Sequence, residues 1–271
     1  MPAECYYNEE EAKRYTNCSR IIDVQAAMAQ KCVELLDLPE GPLMVLDLGC
    51  GSGLSARVVE AEGHFCWGVD ISPDMLTVCQ AQNGETEVML TDLGQGFSFS
   101  AGFFDAAISV SAIQWLCNAD KKAHNPWRRL LRFFESLQRA LKSTGKAALQ
   151  FYPENAQQIE MICNAAIKAG FAGGLYVDYP NSAAAKKYYL VLQNAVEGKL
   201  GVILQHNGDE AHNVLVAQAG TRRKIQKREK KGKFTAKSKF WIYEKKNKQR
   251  KQGVKVRKDT KYTGRKRRVY F

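Results

Sequence analysis

A glycine-rich turn lies between a short apolar segment and a helical pattern early in the chain. The sequence VLDLGCGSG, residues 45–53, contains Gly49, Gly51 and Gly53. Three glycines within five residues leave the backbone open, so that a ligand can lie directly against the main chain. A dinucleotide-binding turn of the GxGxxG type would need a glycine at position 54, which is Leu54. The turn therefore favours another ligand, and a simple connection between strand and helix is the alternative.

Three aspartates lie at the ends of three successive apolar segments. Asp47 precedes the glycines, where it can face a cationic amino group. Asp70 ends the second segment, where a carboxylate can accept hydrogen bonds from both ribose hydroxyls. Asp92 ends the third, where a carboxylate can accept from the exocyclic amine of adenine. Each aspartate alone could be a cap or turn residue. Together they match the amino acid, the ribose and the adenine of S-adenosylmethionine.

Strand and helix patterns alternate along the middle of the chain. We expect strands at 43–48, 64–70, 87–92, 104–111, 146–153, 174–180 and 187–193. We expect helices at 54–62, 72–82, 125–145 and 154–169, with the first 38 residues largely helical. This alternation is typical of parallel strands joined by helical crossovers. The sequence therefore predicts an α/β fold with a mostly parallel seven-stranded sheet and helices on both faces.

Basic residues are concentrated near the C-terminus. The net charge of the chain is +12, and residues 222–268 hold 23 of the 40 Lys and Arg but three acids. This segment therefore carries +20, and the rest of the chain carries −8. Blocks of like charge interleaved with aromatic residues are typical of segments that bind nucleic acid or an import receptor. We expect a mildly acidic globular part with a basic tail.

The cysteine pattern and the hydropathy exclude several protein classes. The eight cysteines form no CxxC pair and the four histidines are scattered, so we expect neither a metal site nor a disulfide framework. A reduced intracellular compartment is the expected one. The N-terminal residues have no apolar signal segment, and no stretch reaches the roughly 18 apolar residues that a membrane span needs. We therefore expect no secretion and no membrane partner.

Several segments resemble the motifs of one enzyme family. DLGCGSG, GVDISPDML and TDLGQG resemble the cofactor motifs of class I, Rossmann-like S-adenosylmethionine methyltransferases. SAIQWLCNADKK, LQFYPEN and the basic tail resemble the eukaryotic small-subunit (18S) ribosomal RNA guanine-N7 methyltransferases, the family of the Williams-Beuren syndrome region methyltransferase. The resemblance runs from about Tyr7 to the C-terminus and weakens around 194–221. It implies that the chain methylates N7 of a guanine in small-subunit RNA and acts in pre-rRNA processing.

The resemblance also implies specific ligand contacts. The cofactor-binding residues that it implies are Tyr15, Arg20, Asp47, Gly49, Cys50, Gly51, Gly53, Asp70, Ile71, Met75, Asp92, Leu93 and Ser109. The expected RNA contacts are Asn118, Lys121, Lys122 and tail residues that include Lys245, Lys246, Arg265, Lys266, Arg267 and Arg268. Lysines in loops can contact RNA phosphates, although a charged loop can equally be solvated surface.

The segment SAIQWLC, residues 111–117, is expected to face the acceptor base. It lacks the NPPY-like sequence used to methylate exocyclic amines, and Cys117, a free cysteine, is more often a small apolar residue than a nucleophile. Guanine N7 already carries a lone pair, so proximity and alignment can supply most of the acceleration without a general base. We expect Trp115 to stack on the base and Gln114 to contact its edge. A packing role for Trp115 at the sheet end is the alternative.

The expected organisation has four parts. A helical segment that covers the cofactor spans 1–40, the methyltransferase domain 41–200, a variable linker 201–221, and a tail for RNA binding and nuclear targeting 222–271. From the resemblance we expect the small-subunit RNA and pre-ribosome, a small zinc-binding activator subunit in a heterodimer, and a nuclear and nucleolar location with a possible cytoplasmic pool. The alternative functions are a pre-ribosome assembly factor whose catalysis matters less, and a methyltransferase for a small molecule or protein.

Overall fold

The chain divides into two units, Met1–Gly220 and Thr221–Phe271. The computed structural model describes residues 8–82, 86–119, 124–182 and 185–194 of the first unit, and 245, 246, 249, 250 and 256–258 of the second. Lys245 and Lys246 are helical. The expected linker 201–221 and most of the expected basic tail, including Arg265, Lys266, Arg267 and Arg268, lie outside the described residues. The division into four parts therefore stays a prediction.

The described part of the first unit contains alternating helices and strands. In chain order these are α1 (Glu9–Asn17), α2 (Ser19–Leu36), β1 (Met44–Leu48), α3 (Leu54–Ala61), β2 (Phe65–Asp70), α4 (Pro73–Gln82), β3 (Glu87–Leu90), β4 (Phe104–Val110), α5 (Pro126–Ala140), β5 (Leu141–Phe151), α6 (Ala156–Lys168), β6 (Phe171–Asp178) and β7 (Lys187–Asn194). Short 3₁₀ helices follow β3 and β4, at Leu93–Gln95 and Ile113–Cys117.

The seven strands form one sheet in the order β3-β2-β1-β4-β5-β7-β6. Neighbouring strands from β3 to β5 are parallel, whereas β7 is antiparallel to both β5 and β6. This arrangement confirms the predicted mostly parallel, Rossmann-like sheet. β1 pairs in parallel with both β2 and β4. The turns that follow these three strands therefore lie at one edge of the sheet, which is where open α/β sheets bind ligands.

Alternate residues of the central strands pack into two cores, one on each face of the sheet. Leu46 and Leu48 of β1 join Phe133 of α5 and Ile162 of α6 in one core. Val45, one position away, belongs to the second core with residues of α2 and α3. Successive side chains of a strand point to opposite faces, so helices cover both faces, as predicted. None of the helices in the described ranges is long and apolar enough to cross a membrane.

The helix predicted over 125–145 is present but ends earlier, at Ala140, so the predicted end was wrong. Leu141 has extended backbone angles (φ −78°, ψ 144°) and begins β5. Gly145 lies in β5 where the register against β4 shifts, and an added Cβ would lie 2.9 Å from the carbonyl oxygen of Lys142. A glycine required by such an irregularity gives the same local signal as a glycine that ends a helix.

The N-terminal segment forms two helices, with a break at Cys18. Asn8 caps α1 by accepting a hydrogen bond from the backbone N–H of Glu11. Cys18 is extended (φ −84°, ψ 105°), and its side chain makes no capping hydrogen bond to α2. The nine-residue α1 packs against α2 and α4. The expected helical N-terminus is thus two helices whose directions can differ at Cys18.

Candidate functional site

A cleft with about 1010 Å³ of empty space opens at the carboxyl ends of β1, β2 and β4. The predicted site residues that line it are Tyr15, Gly49, Cys50, Gly51, Asp70, Ile71, Met75, Asp92, Leu93 and Trp115. Its further lining residues are Gln25, Ser52, Leu54, Ser55, Val110, Ser111, Ala112, Leu116, His124 and Arg129. The strand ends, the glycine turn and α1 therefore surround a single space.

The glycine turn approaches the end of β4 closely. Gly49 has φ +82°, in the left-handed region that favours glycine. An added Cβ at Gly49 would lie 2.3 Å from the Cβ of Ala112. The backbone N–H groups of Gly49 and Cys50 donate to the carbonyl oxygen of Val69 at 2.8 and 3.1 Å. These contacts fix the turn between β2 and the acceptor segment, and they leave no room for a side chain at Gly49.

The carboxylate of Asp70 is held by backbone groups on both sides. Its Oδ2 accepts from the N–H of Gly51 at 2.9 Å, and its Oδ1 accepts from the N–H of Ser72 at 2.8 Å. Burial raises the pKa of Asp70, although these N–H groups act to lower it. Ser72 also caps α4 by accepting from the N–H of Met75. A cleft-lining carboxylate fixed in this way can accept further hydrogen bonds from a ligand with its remaining lone pairs.

Asp47 is completely buried beneath the turn and does not itself line the cleft. Its Oδ2 accepts from the hydroxyl of Ser55 at 2.5 Å, and Ser55 does line the cleft. Its Oδ1 has no hydrogen-bond partner among the residues that the structure describes. Burial raises the pKa of Asp47 to about 7, even though the Ser55 hydroxyl lowers it. A cation that approaches this carboxyl group would lower its pKa and favour its ionised form.

Asp92 forms an ion pair with Arg129, a residue of α5. Arg129 donates from Nη2 to Oδ1 at 2.9 Å and from Nη1 to Oδ2 at 3.1 Å. Oδ1 also accepts from the N–H of Gly94 at 2.9 Å. Burial raises the pKa of Asp92, but the bonds from Gly94 and Arg129 outweigh it and lower that pKa below its ordinary value. Nη1 of Arg129 lies 3.3 Å from Nε2 of His124. Asp92 is therefore ionised and oriented.

The acceptor segment turns away from the sheet at Ser111. Ser111 has φ +56°, which is unusual for a residue with a side chain. The side chain of Gln150, in β5, holds it there: Oε1 accepts from both the N–H and the hydroxyl of Ser111 at 2.9 Å. Gln114 donates from Nε2 to the carbonyl oxygen of Ser111 at 2.7 Å and does not line the cleft. Trp115, in the same 3₁₀ turn, does line it.

Several predicted site residues lie outside the cleft. Arg20 is exposed on α2, and Gly53 precedes α3. Ser109 is buried and donates its hydroxyl to the carbonyl oxygen of Leu48 at 2.7 Å, a bond between β4 and β1. Asn118 ends the 3₁₀ turn. Lys121 and Lys122 lie outside the described residues. The ligand roles of these residues stay predictions.

Cys117 is buried in the core beneath the acceptor segment. It packs with Leu116 and residues of α5 and α6. Burial raises the pKa of its thiol to about 11, so the thiolate, which is the nucleophilic form, is scarce at neutral pH. This environment supports a structural role for Cys117 and agrees with the expectation that it takes no part in chemistry.

Several polar residues of the site were not predicted from the sequence. Arg129 lies within an arginine-rich helix, His124 lies in a loop, and Gln150 lies in an apolar strand. Gln25 reaches the cleft from α2. A glutamine at the end of the buried stretch KAALQFY was the one available signal, because a buried polar side chain requires partners. Nothing in the sequence distinguishes Arg129 from the exposed Arg128 beside it.

Two family models match the chain. One, described as "Methyltransferase domain", matches residues 46–149, and one described as "Methyltransferase involved in Williams-Beuren syndrome" matches residues 193–269. A probable 18S rRNA (guanine-N7)-methyltransferase of Dictyostelium discoideum is 48% identical over 98% of this chain and 96% of its own length. The 18S rRNA (guanine(1575)-N7)-methyltransferase of Saccharomyces cerevisiae is 45% identical over 100% of this chain and 97% of its own length.

Solved structures show the same fold at low sequence identity. A TehB-like SAM-dependent methyltransferase from Corynebacterium glutamicum matches with a TM-score of 0.52 and 19% identity, covering 68% of this chain and 98% of that one. A putative methyltransferase of Haloferax volcanii, solved with the Trm112 methyltransferase activator, matches with a TM-score of 0.51 and 19% identity over 69% and 95% of the two chains. With its full-length similarity to the curated relatives, the chain belongs to the 18S rRNA (guanine-N7)-methyltransferase family.

Proposed function

We propose that this chain transfers a methyl group from S-adenosylmethionine to N7 of a guanine in 18S ribosomal RNA during small-subunit biogenesis. The observation that carries the proposal is the single cleft that joins the glycine turn, Asp70, Asp92 and Trp115 of the acceptor segment. The names of relatives that match the whole chain support the same acceptor.

The residues of the cleft, together with Asp47 buried beneath the glycine turn, fit this cofactor. The buried Oδ1 of Asp47, which lacks a partner within the described ranges, suits a cationic amino group near the turn. Asp70 is fixed by the turn and by Ser72, so its free lone pairs suit ribose hydroxyls. Asp92 is held by Arg129 and lines the same space, where it suits an adenine amine. When bound, S-adenosylmethionine supplies a methyl group on a cationic sulfur atom, which keeps the electron pair of the broken bond.

The chain's own contribution at the acceptor is alignment. Guanine N7 forms the new bond with its lone pair, so no proton has to leave and the base gains one positive charge. Trp115 lines the cleft, which supports a role in holding the base by stacking. Gln150 fixes the strand end through Ser111, and Gln114 braces the same residue. These contacts position the acceptor segment. Alignment of the reacting atoms is a large source of rate acceleration.

Methylation of 18S RNA by the purified chain tests the proposal directly. The chain with S-adenosylmethionine should place N7-methylguanosine at one position in a small-subunit RNA fragment, read by chemical cleavage at the modified base. Absence of the mark with active cofactor binding would refute the proposed acceptor.

Replacing Trp115 should separate acceptor binding from cofactor binding. We expect Trp115→Ala to lower methyl transfer by about 10- to 100-fold, because a stacked base contributes about 1–3 kcal/mol. Cofactor affinity should stay within about threefold, and Trp115→Phe should retain most activity. Calorimetry with S-adenosylhomocysteine and a thermal melt check the second point. A large fall in melting temperature with lost cofactor binding would instead assign Trp115 to packing.

The raised pKa of Asp47 predicts that cofactor binding releases a proton from this carboxyl group. With its pKa near 7, this carboxyl group is about half protonated at pH 7, and a cationic ligand binds the ionised form. Affinity for S-adenosylmethionine should fall about fivefold from pH 7 to pH 6, with release of close to one proton at pH 6. Titration calorimetry in two buffers of different ionisation enthalpy measures this release, and Asp47→Asn should abolish most of it.

Folding stability gives an independent check on the same group. A carboxyl group whose pKa is raised in the folded state binds more protons folded than unfolded, so its stabilising effect is lost as the pH rises. The free energy of unfolding should therefore decline between about pH 4 and pH 7 by an amount that is smaller in Asp47→Asn. Equal slopes in both proteins would show that folding does not raise the pKa of Asp47.

We also propose that a small zinc-binding activator subunit covers the edge of the sheet. β3 pairs with β2 alone in the seven-stranded sheet, and Phe65 and Leu90 near this edge are 62% and 59% exposed. Exposed apolar edges are sites of pairing with other chains. The Haloferax volcanii protein of similar fold was solved with the Trm112 methyltransferase activator. Size-exclusion chromatography of the two co-expressed chains tests this: Leu90→Lys should weaken the complex.

The basic tail suits RNA binding and nuclear import, so we propose a nuclear and nucleolar location with a cytoplasmic pool. Its charge of +20 between 222 and 268 supports both roles. Fluorescence microscopy of the tagged chain, with and without residues 222–271, tests the location. An unchanged distribution after deletion would refute the targeting role.

A further inference from the structure

Two exposed tyrosines and two lysines form a surface at the carboxyl edge of the sheet, beside the cleft. Tyr152 directly follows β5, Tyr179 directly follows β6, and Lys186 and Lys187 lie at the start of β7. Tyr152 is 42% exposed and Tyr179 is 58% exposed, while the two lysines are half-buried. We call these four residues the edge surface. Neither the cleft nor the roles assigned above make use of them.

The strand pairing places the edge surface in a row that leads away from the cleft. Phe151 pairs with Tyr188, and Asp178 pairs with Lys187, so the ends of β5 and β6 lie level with the start of β7. The strand order is β4-β5-β7-β6 on this side of the sheet. With neighbouring strands roughly 4.8 Å apart, the row extends about 14 Å outward from the acceptor segment that follows β4.

The near end of the row is joined to the cleft. The hydroxyl of Tyr152 donates to Sδ of Met28 at 3.2 Å. Met28 lies one turn along α2 from Gln25, which lines the cleft. Gln150, two residues before Tyr152, holds Ser111 of the acceptor segment. A polymer whose one base occupies the cleft therefore meets Tyr152 as soon as it leaves on this side.

The far end of the row has an unusual backbone. Tyr179 has φ +49°, a conformation that glycine or asparagine adopts at lower cost. Its N–H donates to Oδ1 of Asp178 at 3.1 Å, and Nζ of Lys187 lies 5.5 Å from its ring centroid. A large exposed ring at such a position gains little from burial. Strained residues of this kind concentrate where a side chain serves binding.

We propose that the edge surface binds the single-stranded RNA segment that adjoins the acceptor guanine, with both rings stacking on bases and both lysines contacting phosphates. This inference rests on the proposed function. Aromatic rings beside cations are the usual means of holding single strands. The Asp178 carboxylate accepts from the Tyr179 backbone, which offsets part of its charge toward phosphates. A protein partner would be expected to bury an apolar patch, whereas this row alternates rings with cations.

Binding of a short RNA by the full chain tests the rings. The probe is a fluorescein-labelled single strand with the acceptor guanine of 18S RNA and its flanking nucleotides, titrated in the presence of S-adenosylhomocysteine. We expect Tyr152→Ala and Tyr179→Gly each to weaken binding about tenfold. Tyr152→Phe and Tyr179→Phe, which keep the rings, should bind as the wild type does. Tyr179→Gly also relieves the positive φ, so its melting temperature should not fall and misfolding cannot explain weaker binding.

The salt dependence tests the lysines and separates them from the rings. For a single strand, each phosphate contact contributes about 0.7 to the slope of log K against log salt concentration. Lys187→Met should make the slope shallower by about 0.7, whereas the ring variants should leave it unchanged. Lys168→Met is the matched control, because Lys168 is exposed at the end of α6, away from the cleft edge. Its slope should equal that of the wild type.

The outcomes show separately whether the edge surface or the proposed function fails. If the wild type methylates the RNA but the Tyr152→Ala and Tyr179→Gly variants bind and methylate it as well as the wild type, the edge surface is refuted and the function stands. If these variants bind RNA normally but lose a protein of the pre-ribosome, the surface binds protein and the inference is wrong. If the wild type places no methyl group on the RNA, the proposed function itself fails.

Discussion

Gly49→Ala should lower the affinity for S-adenosylmethionine by at least about 100-fold. The new Cβ would lie 2.3 Å from the Cβ of Ala112, so the turn and the acceptor segment would have to separate. Overpacking of this kind costs about 1–3 kcal/mol, and the φ of +82° adds about 1–2 kcal/mol for a residue with a side chain. Isothermal calorimetry with S-adenosylhomocysteine measures the affinity, and chemical denaturation measures the free energy of unfolding.

Two further variants isolate the cause. Gly63 also has a positive φ, +85°, but no atom lies within 4 Å of its added Cβ, so Gly63→Ala should lose only the strain energy and should bind the cofactor normally. Ala112→Gly combined with Gly49→Ala removes the clash and should recover much of the affinity. If Gly49→Ala binds the cofactor as well as Gly63→Ala does, the close approach has no role in the cleft.

Arg129→Met should weaken cofactor binding by about 10- to 100-fold. Arg129 supplies two of the four hydrogen bonds that orient Asp92, and Gly94 and Gln95 supply the others. Without them the carboxylate loses its direction and its burial is no longer offset, so its pKa should rise. A hydrogen bond to a charged group contributes about 1.5–3 kcal/mol. The free energy of unfolding should therefore fall by a similar amount. Arg129→Lys should give an intermediate result, because lysine keeps the charge but not the planar fork.

Arg128→Met is the matched control, since Arg128 is the exposed neighbour on the same helix. A double-mutant cycle with Asp92→Asn should show coupling between Asp92 and Arg129 in cofactor affinity and not only in stability. The pair should contribute at neutral and mildly acidic pH and lose its effect below about pH 4, because the pKa of Asp92 is lowered from its ordinary value. Coupling in stability alone would make the pair a purely structural contact.

The parts of the fold that depend on local patterns could be predicted from the sequence. Alternating apolar segments and helical periodicity predicted the seven-stranded sheet, and the helix expected over 72–82 agrees with α4 at Pro73–Gln82. The end of α5 could not be predicted, since Gly145 serves a shift in strand register. That shift depends on the pairing of β4 with β5, a contact between segments distant in the chain.

The candidate site also contains residues that could be predicted from the sequence and residues that could not. Gly49, Asp70 and Asp92 follow strands at the ligand-binding edge, so their position could be inferred from the order of the elements. Arg129 could not be inferred, because its role depends on the angle at which α5 passes the turn after β3. Gln114 was expected at the base edge, but the left-handed turn at Ser111 directs its amide to the carbonyl oxygen of that residue.

The short helix that carries Tyr15 also bears on how long a ligand stays bound. An isolated helix of nine residues is below the roughly 12–15 residues at which helices persist in water, so α1 depends on its packing against α2 and α4. It can detach at Cys18 for far less free energy than unfolding of the sheet requires. A ligand that contacts Tyr15 adds to that packing. We therefore expect the residence time of product to depend on local opening of α1, so that turnover is limited by release while the sheet stays folded.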